Sequence, residues 1–406
     1  MSTTIATDRL RALIAEELPE LIALRHDLHA HPELGYEEHR TSEVIQRELE
    51  GAGIDFARNL AGGTGVMGHL PAAGDITIGL RADMDALPIT EENDLDYRST
   101  NPGVMHACGH DGHVTMLVGA ARLLAKIASE QDLPRPVTFV FQPAEEGGAG
   151  GRKMVEDGCL TGNVIGEPIE HMFGLHGWPW LPVGVVGTRS GPLLAAADFL
   201  DVTVTGTGSH AAWPHQGRDP ILAAAAFIQA AQQVASRNVD PLDAIVVSIT
   251  QVHAGTTHNI IPDRVEMHGT VRILSEETQG FAIRRLKEIG EGIGRAHDCK
   301  IEVEYSKGYP PTVNDPEAVA VFNATARAVL GEDRVVEVPD PFMGGEDFAF
   351  YCREVPSCFF LLGLRPAGAE RMPDLHQPTF NFNDEAIATG VELFCRLALR
   401  EHETQT

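Results

Sequence analysis

The residues best equipped for chemistry lie in the run Met105-His106-Ala107-Cys108-Gly109-His110-Asp111-Gly112-His113. A Cys-x-His pair offers a metal ion one soft sulfur and one imidazole nitrogen. His106, Asp111 and His113 are further donors, and His110 and His113 share a face if the run is helical. Spacing alone therefore leaves more than one ligand set open. A second cluster is Glu145-Glu146, between an apolar run at 137–141 and Gly147-Gly148. Neighbouring side chains point different ways, so one carboxylate can hold a metal while the other serves as general base. That division of labour suits hydrolysis of an unactivated amide, in which a metal acidifies water and polarises the carbonyl. Asp83 and Asp85 follow the apolar run 75–80, and His176 and His376 are further metal donors. Read singly, each histidine fits a structural role as well as a functional one.

Such side chains need a frame. Apolar residues recur at helical spacing over 10–28 and again over 41–49, ended by Gly51 and Gly53. Pro32-Glu33-Leu34-Gly35 breaks the first helix. Buried-type strands at 75–80, 137–141 and 172–175 each run into polar residues: Asp83 and Asp85, then Glu145-Glu146, then His176. An Ala/Leu-rich helix is expected at 114–128. Strands that alternate with helices and end in acids point to an α/β sheet with a site at its carboxyl edge. Around residue 190 the texture changes. The order is a strand at 196–205, a helix at 219–237, strands at 244–252 and 263–273, a helix at 275–296, and a strand at 300–305. This is the β-α-β-β-α-β order of a ferredoxin-like unit. The α/β texture resumes after Pro310-Pro311, with a helix at 316–330, strands at 334–338 and 357–363, and a last helix at 384–400. The expected organisation is a catalytic domain with a central mixed sheet flanked by helices (1–189 and 311–406). An inserted ferredoxin-like α+β domain (190–310) interrupts it.

Composition narrows the partners. A net charge of −27 over 406 residues repels phosphate backbones and anionic membrane surfaces, so neither nucleic acid nor membrane is expected. The N-terminus lacks the basic start and apolar core of a signal peptide, and no apolar run is long enough to span a bilayer. Six scattered cysteines do not form a disulfide framework. A cytoplasmic protein is expected.

The motifs together resemble the amidohydrolase branch of the aminoacylase/carboxypeptidase family of metallopeptidases, which includes hippurate hydrolases and auxin–amino acid conjugate hydrolases. The resemblance runs through residues 81–87, 105–113, 141–151, 174–176, 208–214, 259–262, 344–348 and His376. It implies two divalent metals, zinc or manganese with cobalt or nickel as alternatives, held by Cys108, His110, Glu146, His176 and His376. His171 competes with His176, because the interval after Glu146 is long; the Phe-Gly-Leu-His context favours His176. The resemblance makes Glu145 the base and Asp85 an acid that orients a ligand from behind. Asp83 stands where other branches carry a metal-binding histidine, a role Cys108 takes over here. In the inserted domain it implies that His210 stabilises the oxyanion in a partner subunit's site, that Asn259 binds the substrate and that the Gly344 loop lines its pocket; Arg272 is a candidate for the substrate carboxylate, with a surface salt bridge as the alternative. The implied reaction is hydrolysis of N-acyl-L-amino acids by a homodimer joined through the inserted lid domain, or a higher homo-oligomer. A dipeptidase or carboxypeptidase with the same site, and a catalytically silent metal-binding protein, are the competing readings.

Overall fold

The structure, a computed structural model, describes residues 7–400. In chain order the principal strands are β1 (Asp55–Leu60), β2 (Gly65–Leu70), β3 (Thr77–Asp83), β4 (Val137–Gln142), β5 (Ile169–Pro182), β6 (Val186–Thr188), β7 (Ala196–Thr205), β8 (Ile245–Ala254), β9 (Arg264–Ile273), β10 (Lys300–Tyr309), β11 (Val335–Glu337) and β12 (Ser357–Arg365). The main helices are α1 (Thr7–Ala30), α2 (His39–Gly51), α3 (His110–Ala128), α4 (Pro220–Gln233), α5 (Glu276–His297), α6 (Pro316–Leu330) and α7 (Ile387–Leu399). The chain divides into two compact units. The larger holds the residues up to Leu193, Val313–Asp340 and those from Asp347 onward; the second holds Leu194–Thr312 and Pro341–Glu346.

The larger unit is built on an eight-stranded mixed sheet in the order β1-β2-β4-β3-β5-β12-β6-β11. Its centre is parallel: β3 pairs with β4 and β5, and β12 with β5. Parallel strands covered on both faces should be apolar throughout, and β3 and β4 are buried at every residue. The flanking helices pack closely on one another where a small residue sits between them. At Gly119 in α3, an added Cβ would come within 2.8 Å of Leu21 from α1 and 2.9 Å of Val391 from α7.

The second unit is a four-stranded antiparallel sheet in the order β8-β9-β7-β10, with α4 and α5 contributing to its core. That is the strand order of the ferredoxin-like β-α-β-β-α-β unit. Leu200, Val202 and Val204 alternate inward along β7 and meet Phe227, Leu286 and Ile289. Asp219 caps α4 just ahead of Pro220, and Ser275 caps α5, so both helices start where the sequence predicts.

Three details differ from the sequence reading. β5 does not end at His176: its parallel pairing with β12 continues from His176–Leu361 to Trp178–Gly363. α3 begins at His110 rather than 114, because the left-handed Gly109 (φ 88°) turns the chain directly into the helix. Residues 341–346 pack with the second unit, a late excursion with no periodic signature in the sequence.

Candidate active site

The larger unit gathers its chemistry where several buried segments end. β3 delivers Asp83 and then Asp85, the turn before α3 delivers Cys108 and His110, the loop after β4 delivers Glu145 and Glu146, and β5 delivers His176. His376 comes from the segment before α7, with a left-handed backbone (φ 65°), and its N–H donates to the Ala107 carbonyl at 2.8 Å. That bond sets it against the Cys108 segment.

These side chains face one another. Cys108 Sγ lies 3.2 Å from His176 Nε2, and His376 Nε2 lies 3.3 Å from Glu146 Oε1. Ligand-capable atoms of Cys108, His110 and His176 fall within 4.8 Å of each other, as do those of Cys108, Glu146 and His376, and those of His110, Glu145 and Glu146. The tautomers follow from the partners. His110 Nδ1 donates to the Asp85 carbonyl at 2.9 Å, and His176 Nδ1 donates to the Gly177 carbonyl at 2.8 Å. A carbonyl only accepts, so the proton of each neutral ring sits on Nδ1 and each Nε2 presents a lone pair. His110 Nε2 is buried without a hydrogen-bond partner, and buried Glu146 Oε1 has only the long contact with His376 Nε2 beside it. Inward-facing nitrogen lone pairs, a buried sulfur and a buried carboxylate oxygen form a donor set that fits a divalent cation.

The electrostatics agree once the cation is counted. Burial, then Glu146, Glu145 and Asp83, push the Cys108 thiol well above its usual range, so the anions alone oppose a thiolate. A bound metal ion inverts that balance. Burial disfavours a charged His110, yet Asp83, Asp85 and Glu146 raise it to about 10. The negative field that draws a proton onto Nε2 equally favours a metal cation there. Burial also works against ionised Glu146, but the contacts with His376 and His110 hold it below the usual carboxylate range.

The frame behind the donors is rigid. Asp85 accepts from the backbone N–H of Glu145 at 3.0 Å and of Glu146 at 2.9 Å, so one carboxylate sets the path of both acids. Asp83 accepts from His113 Nδ1 at 2.6 Å, and His113 Nε2 accepts from the Gly177 N–H at 2.8 Å. Both His113 nitrogens are thereby used in support of the strand that carries His176. His106 is buried beside them, and burial lowers it to about 4, so it stays neutral. His171 lies near the start of β5, in the field of Arg135 and Glu170, whereas it is His176 that meets Cys108.

Two supporting residues escaped the sequence reading. Ala144 is left-handed (φ 52°), and its N–H donates to buried Glu38 at 2.8 Å. Tyr36 donates its hydroxyl to the Gly148 carbonyl at 2.6 Å. The residues that follow the helix break at 32–35 thus brace the loop of Glu145 and Glu146. An added Cβ at Gly35 would come within 3.1 Å of Ala144, so the chain just before Tyr36 lies directly against that loop.

The second unit places its candidates differently. His210 pairs with Ile260 in a two-residue ladder, which sets Asn259 beside it; both are exposed. The Ala212 N–H donates to His210 Nδ1 at 3.1 Å, so the ring proton sits on Nε2. Arg272 is half-buried on β9, with the charge of buried Asp198 acting on it. Burial lowers the pKa of its guanidinium. An added Cβ at Gly345 would come within 3.3 Å of Arg272 Nη1. Gly344 uses its carbonyl to accept from the Ala195 N–H at 2.9 Å.

Donors of this kind at the edge of a mixed α/β sheet, with a second acid beside them, define a metal-dependent hydrolase of amide bonds. The chain belongs to peptidase family M20/M25/M40, whose pattern matches residues 79–400. It is 38% identical over 384 residues to IAA-amino acid hydrolase ILR1-like 4 of Arabidopsis thaliana, covering 94% of this chain and 85% of that one. It is 39% identical over 386 residues to the N-acetylcysteine deacetylase of Bacillus subtilis, covering 95% and 97%. Among solved structures, the YXEP protein of Bacillus subtilis, a dinuclear metal-binding peptidase of the M20 family, superposes with a TM-score of 0.82 at 35% identity, covering 95% and 98%. No helix among the described residues is long and apolar enough to cross a membrane.

Proposed function

We propose that the chain hydrolyses N-acyl-L-amino acids to a carboxylic acid and a free amino acid, using two divalent metals held by Cys108, His110, Glu146, His176 and His376. The observation that carries this reading is the pair of Nε2 lone pairs, on His110 and His176, turned toward buried Cys108 with Glu145 and Glu146 alongside. When bound, the metals supply Lewis acidity, which acidifies water and polarises the acyl carbonyl. Thiolate and imidazole donors favour zinc on softness, and the carboxylates also accept manganese. Glu145 accepts the proton of the attacking water and passes it to the leaving amine. Asp85 acts by holding the Glu145–Glu146 backbone. His210 donates its Nε2–H to the developing oxyanion in a partner subunit of a homodimer joined through the second unit. Asn259 meets the scissile amide, Arg272 pairs with the carboxylate of the amino acid, and the backbone at Gly344 lines the pocket. Six free cysteines suit a reducing, cytoplasmic setting.

From His176 the same face of β5 continues as Trp178 and Trp180, with ring centroids 5.9 Å and then 5.6 Å apart. Trp180 is 59% exposed. Its indole N–H donates to Asp374 at 2.6 Å. This surface favours flat acyl groups. The test is a panel of N-acetyl, N-benzoyl and indole-acetyl amino acids beside dipeptides, with zinc or manganese added to metal-stripped protein. Turnover of the acylated substrates, aromatic acyl groups foremost, is expected. Turnover of dipeptides alone would replace this reading by a dipeptidase.

A further inference from the structure

Asp347 lies in Gly344-Gly345-Glu346-Asp347-Phe348, yet it is fully buried. It is the residue at which the chain re-enters the larger unit after 341–346. Its backbone N–H donates to Glu145 Oε1 at 3.3 Å. Its carboxylate is gripped: Arg81 Nη2 donates at 2.9 Å, Gln142 Nε2 at 2.9 and 3.0 Å, and the Gly151 N–H at 2.8 Å. Arg81 is in turn fixed by Gln142 Oε1 at 2.9 Å and Asp83 Oδ2 at 2.7 Å, with no exposed surface. Gly151 must be glycine here, since an added Cβ would come within 2.8 Å of the Asp347 carbonyl.

We propose that Asp347 is a positioning residue for the base Glu145: Arg81, Gln142 and Gly151 lock its carboxylate so that its backbone N–H holds one Glu145 oxygen. The inference rests on Glu145 being the base. A glutamate has three rotatable bonds, and a base must stay within hydrogen-bond reach of its proton; misplacement by about 1 Å costs on the order of 100-fold in rate. A buried ion pair adds little net stability over apolar packing, so stability alone does not account for this cluster. The named partners of the Asp347 carboxylate are all donors. An asparagine of the same shape would turn its own amide donor against at least one of them and loosen the segment.

The test is a double-mutant cycle on the metal-loaded enzyme. Asp347→Asn is expected to lower kcat by about 10- to 100-fold with KM within about two-fold, and with metal content per chain unchanged. Gln142→Met, which removes the amide donor from the same carboxylate and one anchor of Arg81 but keeps both charges of the Arg81–Asp347 pair, is expected to act in the same direction by about 3- to 10-fold; it carries the test if Asp347→Asn fails to fold. In a Glu145→Gln background neither substitution should lower the residual rate further by more than about two-fold. Losses of equal size in both backgrounds, or kcat within two-fold of wild type for the variants that fold, would overturn the positioning role. Near-wild-type turnover of Glu145→Gln alone would overturn the base assignment, and the positioning role with it.

Discussion

The two units carry candidate residues under opposite conditions. In the larger unit Cys108, His110, Glu145 and His176 are buried, and their orientation is set by backbone partners and by Asp85. In the second unit His210 and Asn259 are exposed, and Arg272 is half-buried, with the charge of Asp198 acting on it. The first arrangement is preorganised: its groups hold their geometry before any substrate arrives. The second consists of donors whose own partners are few, as expected of groups completed by a ligand. Substitutions in the first should therefore disturb metal binding and rate; in the second, those at Asn259 and Arg272 should disturb substrate affinity, and those at His210 the rate through the oxyanion contact.

The largest effect expected from this contrast is at Cys108. Cys108→Ala removes the only sulfur of the cluster and leaves His176 Nε2 facing a void. Losing an outer partner of a ligand typically costs about 10- to 100-fold in metal affinity, and losing a ligand should cost at least ~100-fold. Metal analysis after dialysis should show sub-stoichiometric occupancy, and the thermal stabilisation gained on adding zinc should shrink. Full occupancy and an unchanged shift would remove Cys108 from the ligand set and weaken the distinction drawn between the units.

How much of this could be read from the sequence depends on whether a signal is periodic or merely tertiary. β7 alternates because one face meets Phe227 and Leu286, so the inserted unit is legible from its pattern. The Cys108–His110 pair is legible because it sits in one short run. The end of β5 is not: residues 172–182 stay extended because β12 lies alongside, and the partner of Met172 there is Ser357, far along the chain. Glu38 and Asp347 are likewise invisible. Each acts on Glu145 or its neighbour through a backbone N–H, a contact that imposes no spacing between the residues involved.

A smaller effect is expected at Arg272. Arg272→Met keeps the aliphatic bulk and removes the guanidinium. A hydrogen bond to a charged group contributes about 1.5–3 kcal/mol, so KM for an N-acyl amino acid should rise by roughly 10- to 100-fold with kcat changed much less. Repeating the measurement with the matching amino acid amide, which lacks the carboxylate, should nearly abolish the difference between variant and wild type. An equal loss on both substrates would show that Arg272 supports the fold of β9 and not substrate recognition.

The smallest effect concerns stability and tests how tightly the larger unit's frame is held. Burial, then the charge of Asp85, raises Glu38 to about 7 from an ordinary value of 4.5. Between those two values the folded state holds a proton that the unfolded state has released, so stability falls as pH rises through this window. Below it both states are protonated and no penalty applies; above it the whole penalty is present. Glu38→Gln never ionises, and its side-chain oxygen can still accept from the Ala144 N–H. Metal-stripped wild type and variant should therefore melt together near pH 4.5. Near pH 8 the variant should be the more stable by about 1–3 kcal/mol, a rise of a few degrees in Tm. The opposite sign at high pH would mean that ionised Glu38 stabilises the turn at Ala144 more than burial penalises it. The loop of Glu145 and Glu146 would then be held by charge and not by shape.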